Sequence, residues 1–475
     1  MRECDRLFIS GEWVTPSGAG AIEVVDPATE RVCGRVPDSD RRDVDAAVAA
    51  ASAAFVGWAG TPARSRAAAL ARLAQALRER EDELARVIST EMGAPRDNAL
   101  HVQTRLAVEI VESYVDLASA CDHVESIGHS RVWREPVGVV AAVTPWNYPL
   151  YQIVTKLAPA LAAGCTVILK PSEDAPLNAF LLAEAVHAAG LPPGVVNLVT
   201  GSAAGPFLVA HPGVDVVSFT GSTRVGALVA AAAAGTIKRV ALELGGKSAA
   251  VVLPDADLDA AVRHTVGNVC YNTGQTCTAF TRLLVPAGRY AEALSIAAGA
   301  AASYPLGDPR LPGDHLGPIA TARQYATVHG YLDLGVAEGA SVVAGGPAPA
   351  AAHRPAGFDT GWWVRPTIFG DVTSDMRIAQ EEIFGPVLCL MTYRDEDEAV
   401  RIANGTPYGL AGAVWSSSAE RALAVARRLR TGRVDINGAA FNPLAPTGGV
   451  KKSGYGRELG HHGLAEFQEL KSIQL

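Results

Sequence analysis

Residues 271–280 read YNTGQTCTAF, which sets Cys277 between two threonines, just beyond the Gly274-Gln275 pair. A thiol there suits nucleophilic attack on a carbonyl carbon. A reactive cysteine needs partial exposure and a neighbour that favours the thiolate, whereas a packing cysteine sits among aliphatic side chains. The stretch is too polar for a strand and too broken by glycine for a helix interior, which fits the reactive description better. Single loop cysteines are common, however, and Cys270 nearby reads as core, so the segment alone leaves both readings open.

A second chemical signal is FTGSTRVG at 219–226. A buried strand ends, Gly221 and Ser222 turn, and a helix begins, so free backbone N–H groups and a positive helix end face an anion such as a diphosphate. The plain alternative is a Gly-Ser helix cap. Two other glycine motifs fail on spacing. GGKS at 245–248 lacks the glycine a phosphate loop needs at position 241, which is Ala241. GYGRELG at 454–460 has its third glycine one residue late and no strand before it.

These residues need a scaffold, and the hydrophobic pattern predicts one. Residues 40–56 and 62–92 read as amphipathic helices, the second opening at Thr61-Pro62 with Leu70, Leu73, Leu77, Leu84 and Ile88 at helical spacing. From 137 onward, short β-branched runs alternate with helical stretches: VGVVAAV, 149–163, TVILK, 176–189, VVNLV, 203–210, VDVVSFT, 223–234, RVALEL and AAVVL. Continuous apolar strands between helices predict an α/β fold with a parallel sheet covered on both faces. Further strands near 281–285, 386–393, 411–415 and 432–436 predict a second such domain, the two meeting near residue 253. The Ala/Pro/Gly stretch 344–357 reads as an exposed loop.

Composition narrows the function. The 475 residues allow two or three domains. A net charge of −8, from 49 acidic and 41 basic residues without long blocks, argues against nucleic acid or an anionic membrane as partner. A small-molecule substrate is expected. Seven scattered cysteines with no C-x-x-C pair suggest neither a disulfide framework nor a metal site, and fit a reducing cytoplasm. The sequence predicts no signal peptide and no membrane span.

Six short motifs then occur in one order: PWNYP at 145–149, KPSE at 170–173, FTGST at 219–223, LELGGK at 242–247, GQTC at 274–277 and EEIFGP at 381–386. The ordered set resembles the NAD-dependent aldehyde dehydrogenase superfamily, from FISGEW near the start to SGYGRELG near the end. The resemblance implies two Rossmann-like parallel-sheet domains plus a small oligomerisation hairpin and C-terminal strand. It implies residues 1–122 and 141–253 as the NAD-binding domain, 254–452 as the catalytic domain, and 123–140 with 453–475 as oligomerisation elements of a homodimer or homotetramer.

Residue by residue, the resemblance implies Cys277 as the nucleophile that forms a thiohemiacetal and then a thioester. Asn147 would hold the oxyanion with the N–H of Cys277, Glu243 would activate the hydrolytic water, and Lys156 would relay protons. For the cofactor it implies Thr144, Trp146, Lys170, Glu173, Gly221, Ser222, Leu244, Gly245, Glu382 and Phe384. Glu173 at the adenosine ribose would repel a 2′-phosphate, so NAD is expected over NADP. Two departures, Thr155 and Thr447, stand where members carry large aromatics, predicting a wide, polar substrate tunnel with Tyr148 and Phe441 as remaining walls. The substrate is then expected to be a bulky, aromatic or semialdehyde compound. A coenzyme A-acylating relative, a non-catalytic NAD-binding protein on the same fold and a cysteine esterase are the competing readings.

Overall fold

The structure, a computed structural model, describes residues 1–119, 121, 124–348 and 354–475. Two large sheets dominate it. The first runs Gly454–Tyr455, Arg239–Glu243, Val216–Thr220, Val139–Val143, Thr166–Lys170, Val196–Leu198, Leu7–Ile9, Glu12–Val14. Its five central strands are parallel, and all but Arg239–Glu243, which is only half-buried, have side chains buried on both faces, as the continuous apolar runs predicted. Antiparallel strands close both edges.

The second sheet runs Ser341–Ala344, Thr367–Gly370, Val387–Tyr393, Arg282–Pro286, Ala249–Val252, Ala411–Trp415, Arg433–Ile436, with one antiparallel edge strand. Separate hydrophobic cores cover its two faces. A small sheet joins Gln468–Gln474 to Ser130–Pro136 and Glu125–Ile127, and leaves most of its last strand exposed.

Three expectations are corrected. The AAVV segment pairs with Arg282–Pro286 and Ala411–Trp415, so the chain changes sheets between residues 243 and 249, before 253. The reason is local: Gly245-Gly246 interrupts what reads as one apolar succession. The 62–92 helix is two helices, Ala63–Arg78 and Glu81–Met92, which turn at Glu79-Arg80 so that both can bury their leucines. Gly454–Tyr455 belongs to the first large sheet, not to a separate oligomerisation element. Of the expected loop 344–357, residues 349–353 lie outside the described residues, as do 122 and 123 at the expected boundary.

Candidate active site

Helix Leu258–Cys270 ends seven residues before Cys277. Asn272, Thr273 and Gly274 then take three consecutive left-handed conformations, with φ of 50°, 55° and 72°. This turn reverses the chain and is held by side chains rather than by a regular ladder. Gln275 Nε2 donates to the Asn272 carbonyl at 3.2 Å, and its Oε1 accepts from Ala320 N at 2.8 Å. The PWNYP segment clips onto the same turn. Asn147 Nδ2 donates to the Gln275 carbonyl at 3.0 Å, Asn272 Nδ2 donates to the Asn147 carbonyl at 2.8 Å, and Tyr148 Oη is 2.7 Å from Thr276 Oγ1. Pro149 opens helix Pro149–Ala163, fixing the segment from its other end.

Cys277 is partly exposed, as a nucleophile must be. Its surroundings nonetheless oppose the thiolate: burial, then the charges of Glu382 and Glu243, push the thiol up to about 12, against a smaller opposing effect of Arg433. Arg433 is the neighbour that favours the thiolate, and burial together with the carboxylates outweighs it.

Glu243 ends strand Arg239–Glu243, and its Oε1 is buried without a hydrogen-bond partner. Burial first, then Glu458, raises its carboxyl well above the usual range, while Lys156 and Arg457 pull it down. Lys156, almost fully buried, donates to Glu458 Oε1 at 2.5 Å and to Thr220 Oγ1 at 2.6 Å. Gly448 faces this carboxylate: with φ +142°, a Cβ there would lie 2.6 Å from Glu243 Oε1. The TGG segment of residues 447–449 thus walls the acid.

In front of Cys277 opens a cleft of about 910 Å³, within the span of cofactor sites. It is lined by Thr144, Trp146, Asn147, Lys170, Glu173, Gly221, Ser222, Leu244, Gly245, Glu382 and Phe384, and it ends on Cys277. Thr144 Oγ1 is buried and unpaired. Lys170 is ion-paired with Glu173. Trp146 meets Phe384 edge-on at 5.5 Å. Glu382 accepts from Gly246 N at 2.9 Å, and burial pushes its carboxyl up to about 7. Ser222 caps helix Thr223–Ala234 by accepting from Val225 N at 3.3 Å, so the plain capping role is real while the helix start still faces the cleft. Glu243 does not line the cleft; its neighbour Leu244 does.

The expected substrate walls divide. Tyr148 stands beside the cysteine loop and packs edge-on to Tyr151. Phe441 is part-exposed beneath the Arg433 guanidinium, 5.2 Å from its ring centre. Thr447 exchanges backbone hydrogen bonds with Glu458, both at 2.9 Å. The expectation for Thr155 is corrected: its side chain is 1% exposed, its hydroxyl donates to the Gln152 carbonyl, and it borders a small cavity with Glu243, Arg457 and Glu458 instead of the cleft. The sequence reading missed Glu458, which lies inside the set-aside GYGRELG motif; a lysine buried as Lys156 is needs such a partner. It also missed Gln324, whose Nε2 holds the carbonyls of Ile383 and Phe384. Among the described residues no cluster of metal-ligating side chains occurs.

The chain belongs to the aldehyde dehydrogenase family, which it matches over residues 13–473. It is 48% identical to 3-succinoylsemialdehyde-pyridine dehydrogenase of a Pseudomonas species, over 100% of this chain and 99% of that protein. It is 44% identical to geranial dehydrogenase of Castellaniella defragrans, over 99% and 98%. Among solved structures it resembles a mutant of aldehyde dehydrogenase C from Pseudomonas syringae, in complex with NAD+ and octanal, at TM-score 0.97 and 49% identity over 99% of this chain and 96% of that one. A Mycobacterium tuberculosis aldehyde dehydrogenase with NAD+ gives TM-score 0.96 at 42% identity, covering 100% and 98%.

Proposed function

We propose that this protein oxidises a medium-sized or bulky aldehyde irreversibly to its carboxylic acid with NAD as acceptor. The observation that carries the reading is Cys277 at the end of a dinucleotide-sized cleft, tied through Gln275 to the amide of Asn147. NAD, when bound, supplies the hydride acceptor. Lys170 and Glu173 would take the adenosine ribose, Ser222 and the start of its helix the diphosphate, and Glu382 with Phe384 the nicotinamide riboside. Unpaired Thr144 and the carboxylate of Glu382 suit a ligand rich in hydroxyls.

In the reaction, the Cys277 sulfur bonds to the aldehyde carbon, the carbonyl π pair moves onto oxygen, and the thiol proton passes to water. Asn147 Nδ2 and the Cys277 N–H hold the resulting oxyanion; losing one such donor costs about 3 kcal/mol in the barrier. Loss of hydride leaves a thioester on Cys277. Glu243 takes a proton from water, which attacks the thioester and frees the acid and the thiol. Lys156 and Glu458, hydrogen-bonded behind Glu243, lead that proton away.

The names of the relatives support a substrate larger than acetaldehyde, and Tyr151 and Phe441 offer aromatic surface for it. We also read the exposed strand Gln468–Gln474 as a seam between subunits of a dimer or tetramer, and seven scattered cysteines without a C-x-x-C pair as fitting the cytoplasm. No helix among the described residues is long and apolar enough to cross a membrane. The test follows absorbance of reduced nicotinamide with octanal, benzaldehyde and a semialdehyde, with and without coenzyme A. NAD-dependent turnover without coenzyme A supports the reading; an absolute need for coenzyme A indicates the acylating branch, and ester cleavage alone an esterase.

A further inference from the structure

Two cations line the cleft, Lys170 and Arg323, against three carboxylates, Glu173, Asp174 and Glu382. Lys170 is already neutralised by Glu173. Arg323 is exposed, and its guanidinium makes no hydrogen bond or ion pair with any described residue; only its backbone carbonyl is engaged, by Thr327 Oγ1. It stands in the first turn of helix Ala322–Ala337, a turn without any acidic residue. A cation there faces the positive end of the helix dipole, so the position is unfavourable unless an anion joins it. Thr327, one turn further on, lines the same cleft, and the grip of Gln324 on Ile383 and Phe384 fixes the helix with this face toward the groove. Across the groove, Asp174 feels the positive charge of Arg323, which opposes the effect of its burial. The carboxylate that responds to Arg323, Asp174, is thus on the other lip and forms no ion pair with it, and an anion between the lips would find the guanidinium free.

We propose that Arg323 binds the diphosphate of the dinucleotide from the catalytic-domain lip and so sets cofactor affinity. This rests on the cofactor reading above. The nucleoside parts of NAD that enter the groove carry their negative charge only in the diphosphate. A guanidinium offers a planar fork of donors suited to phosphate oxygens. The start of helix Thr223–Ala234 would meet that group from one side and Arg323 from the other, leaving Glu173 and Asp174 to the neutral ribose.

Calorimetric titration of the full-length protein with NAD, ADP-ribose and adenosine tests the assignment. Arg323→Ala is expected to raise Kd for NAD and ADP-ribose by about tenfold to a hundredfold, the scale for one charge-assisted contact, while adenosine changes by less than about twofold. Arg323→Lys is expected to recover part of the loss, and salt should weaken NAD binding less in Arg323→Ala than in the unmodified protein. Unchanged NAD affinity in Arg323→Ala, or adenosine weakened as much as ADP-ribose, overturns the assignment while the cofactor reading stands. Failure of the unmodified protein to bind NAD overturns both.

Discussion

A Cβ placed on Gly274 would lie 2.1 Å from the carbonyl oxygen of Gly385. The loop that carries Cys277 and the loop that carries Glu382 and Phe384 therefore touch backbone to backbone, and each fixes the position of the other. Gly274 also has φ +72°, which a residue with a Cβ adopts only under strain. Gly274→Ala is expected to part the two loops and lower kcat by at least about tenfold, since a shift of about 1 Å at reacting groups can cost a hundredfold. Steady-state kinetics check this; kinetics equal to those of the unmodified protein would show that the loops are not mutually held.

Cys277→Ala should abolish oxidation while leaving NAD affinity within about threefold, because truncating one side chain at the end of the cleft removes no charge that the cofactor contacts. Glu243→Gln should instead preserve a burst of reduced nicotinamide and slow the steady state that follows, as expected when only thioester hydrolysis needs the base. Stopped-flow absorbance separates the two phases. A burst reduced as much as the steady state would move Glu243 to an earlier step.

The pH dependence follows from two groups that are both raised. The thiol of Cys277 is pushed up to about 12 by burial and by Glu382, Glu243 and Glu458, and Glu243 is raised by burial and Glu458. Each acts deprotonated, so kcat should climb as pH rises above the ordinary carboxylate range and continue to climb in alkali. Neutralising Glu458 with Glu458→Gln removes a like charge and should move the limb belonging to Glu243 to lower pH. Lys156→Met removes a favourable charge and should move it up. Shifts in the same direction for both variants would break the electrostatic account.

Much of this was legible in the sequence, for stated reasons. The buried strands Val139–Val143, Thr166–Lys170 and Val216–Thr220 read correctly because a parallel strand covered on both faces is a continuous apolar run. The motif order brought Asn147 and Cys277 to one cleft. What failed depended on contacts that no apolar pattern encodes. No local pattern shows that Glu458 meets Lys156 across 302 residues, or that Thr155 turns its hydroxyl back onto its own helix. The sheet change before Ala249 is equally invisible, since a strand does not announce which neighbour it will pair with.

Glu91 gives a stability prediction. It is fully buried, accepts hydrogen bonds from Leu177 N, Asn178 N and Asn178 Nδ2, and is pushed up to about 7, burial outweighing those bonds. A carboxyl raised on folding binds its proton more tightly in the folded state, so its stabilisation is full below the unfolded value, about 4.3, and fades as pH rises through 7. Melting temperature should fall over that window by the equivalent of roughly 1–3 kcal/mol, and Glu91→Gln should flatten the slope. An equal slope in both proteins would exclude Glu91 as the titrating group.

Substrate choice is the remaining prediction, and with Thr155 removed from the wall it rests on Thr447 and the aromatic residues. Tyr148 and Tyr151 pack edge-on beside the cysteine loop, Tyr148 buried and Tyr151 half-buried, so Tyr151 and the exposed Phe441 offer the aromatic contact surface. A two-carbon aldehyde reaches little of that surface, and its carbonyl spends less time within about 3–3.5 Å of the sulfur. Octanal and benzaldehyde should therefore exceed acetaldehyde in kcat/KM by at least about tenfold, the effect of one or two kcal/mol of apolar contact. Thr447→Phe should narrow the gap by filling space near the sulfur. Its backbone is fixed by two hydrogen bonds to Glu458, so the substitution tests the side chain rather than the course of the chain. If Thr447 points into the scaffold, the larger ring will displace Glu458 and lower turnover of every aldehyde alike. That uniform loss, or a preference of the unmodified enzyme for acetaldehyde, would refute the open-tunnel reading.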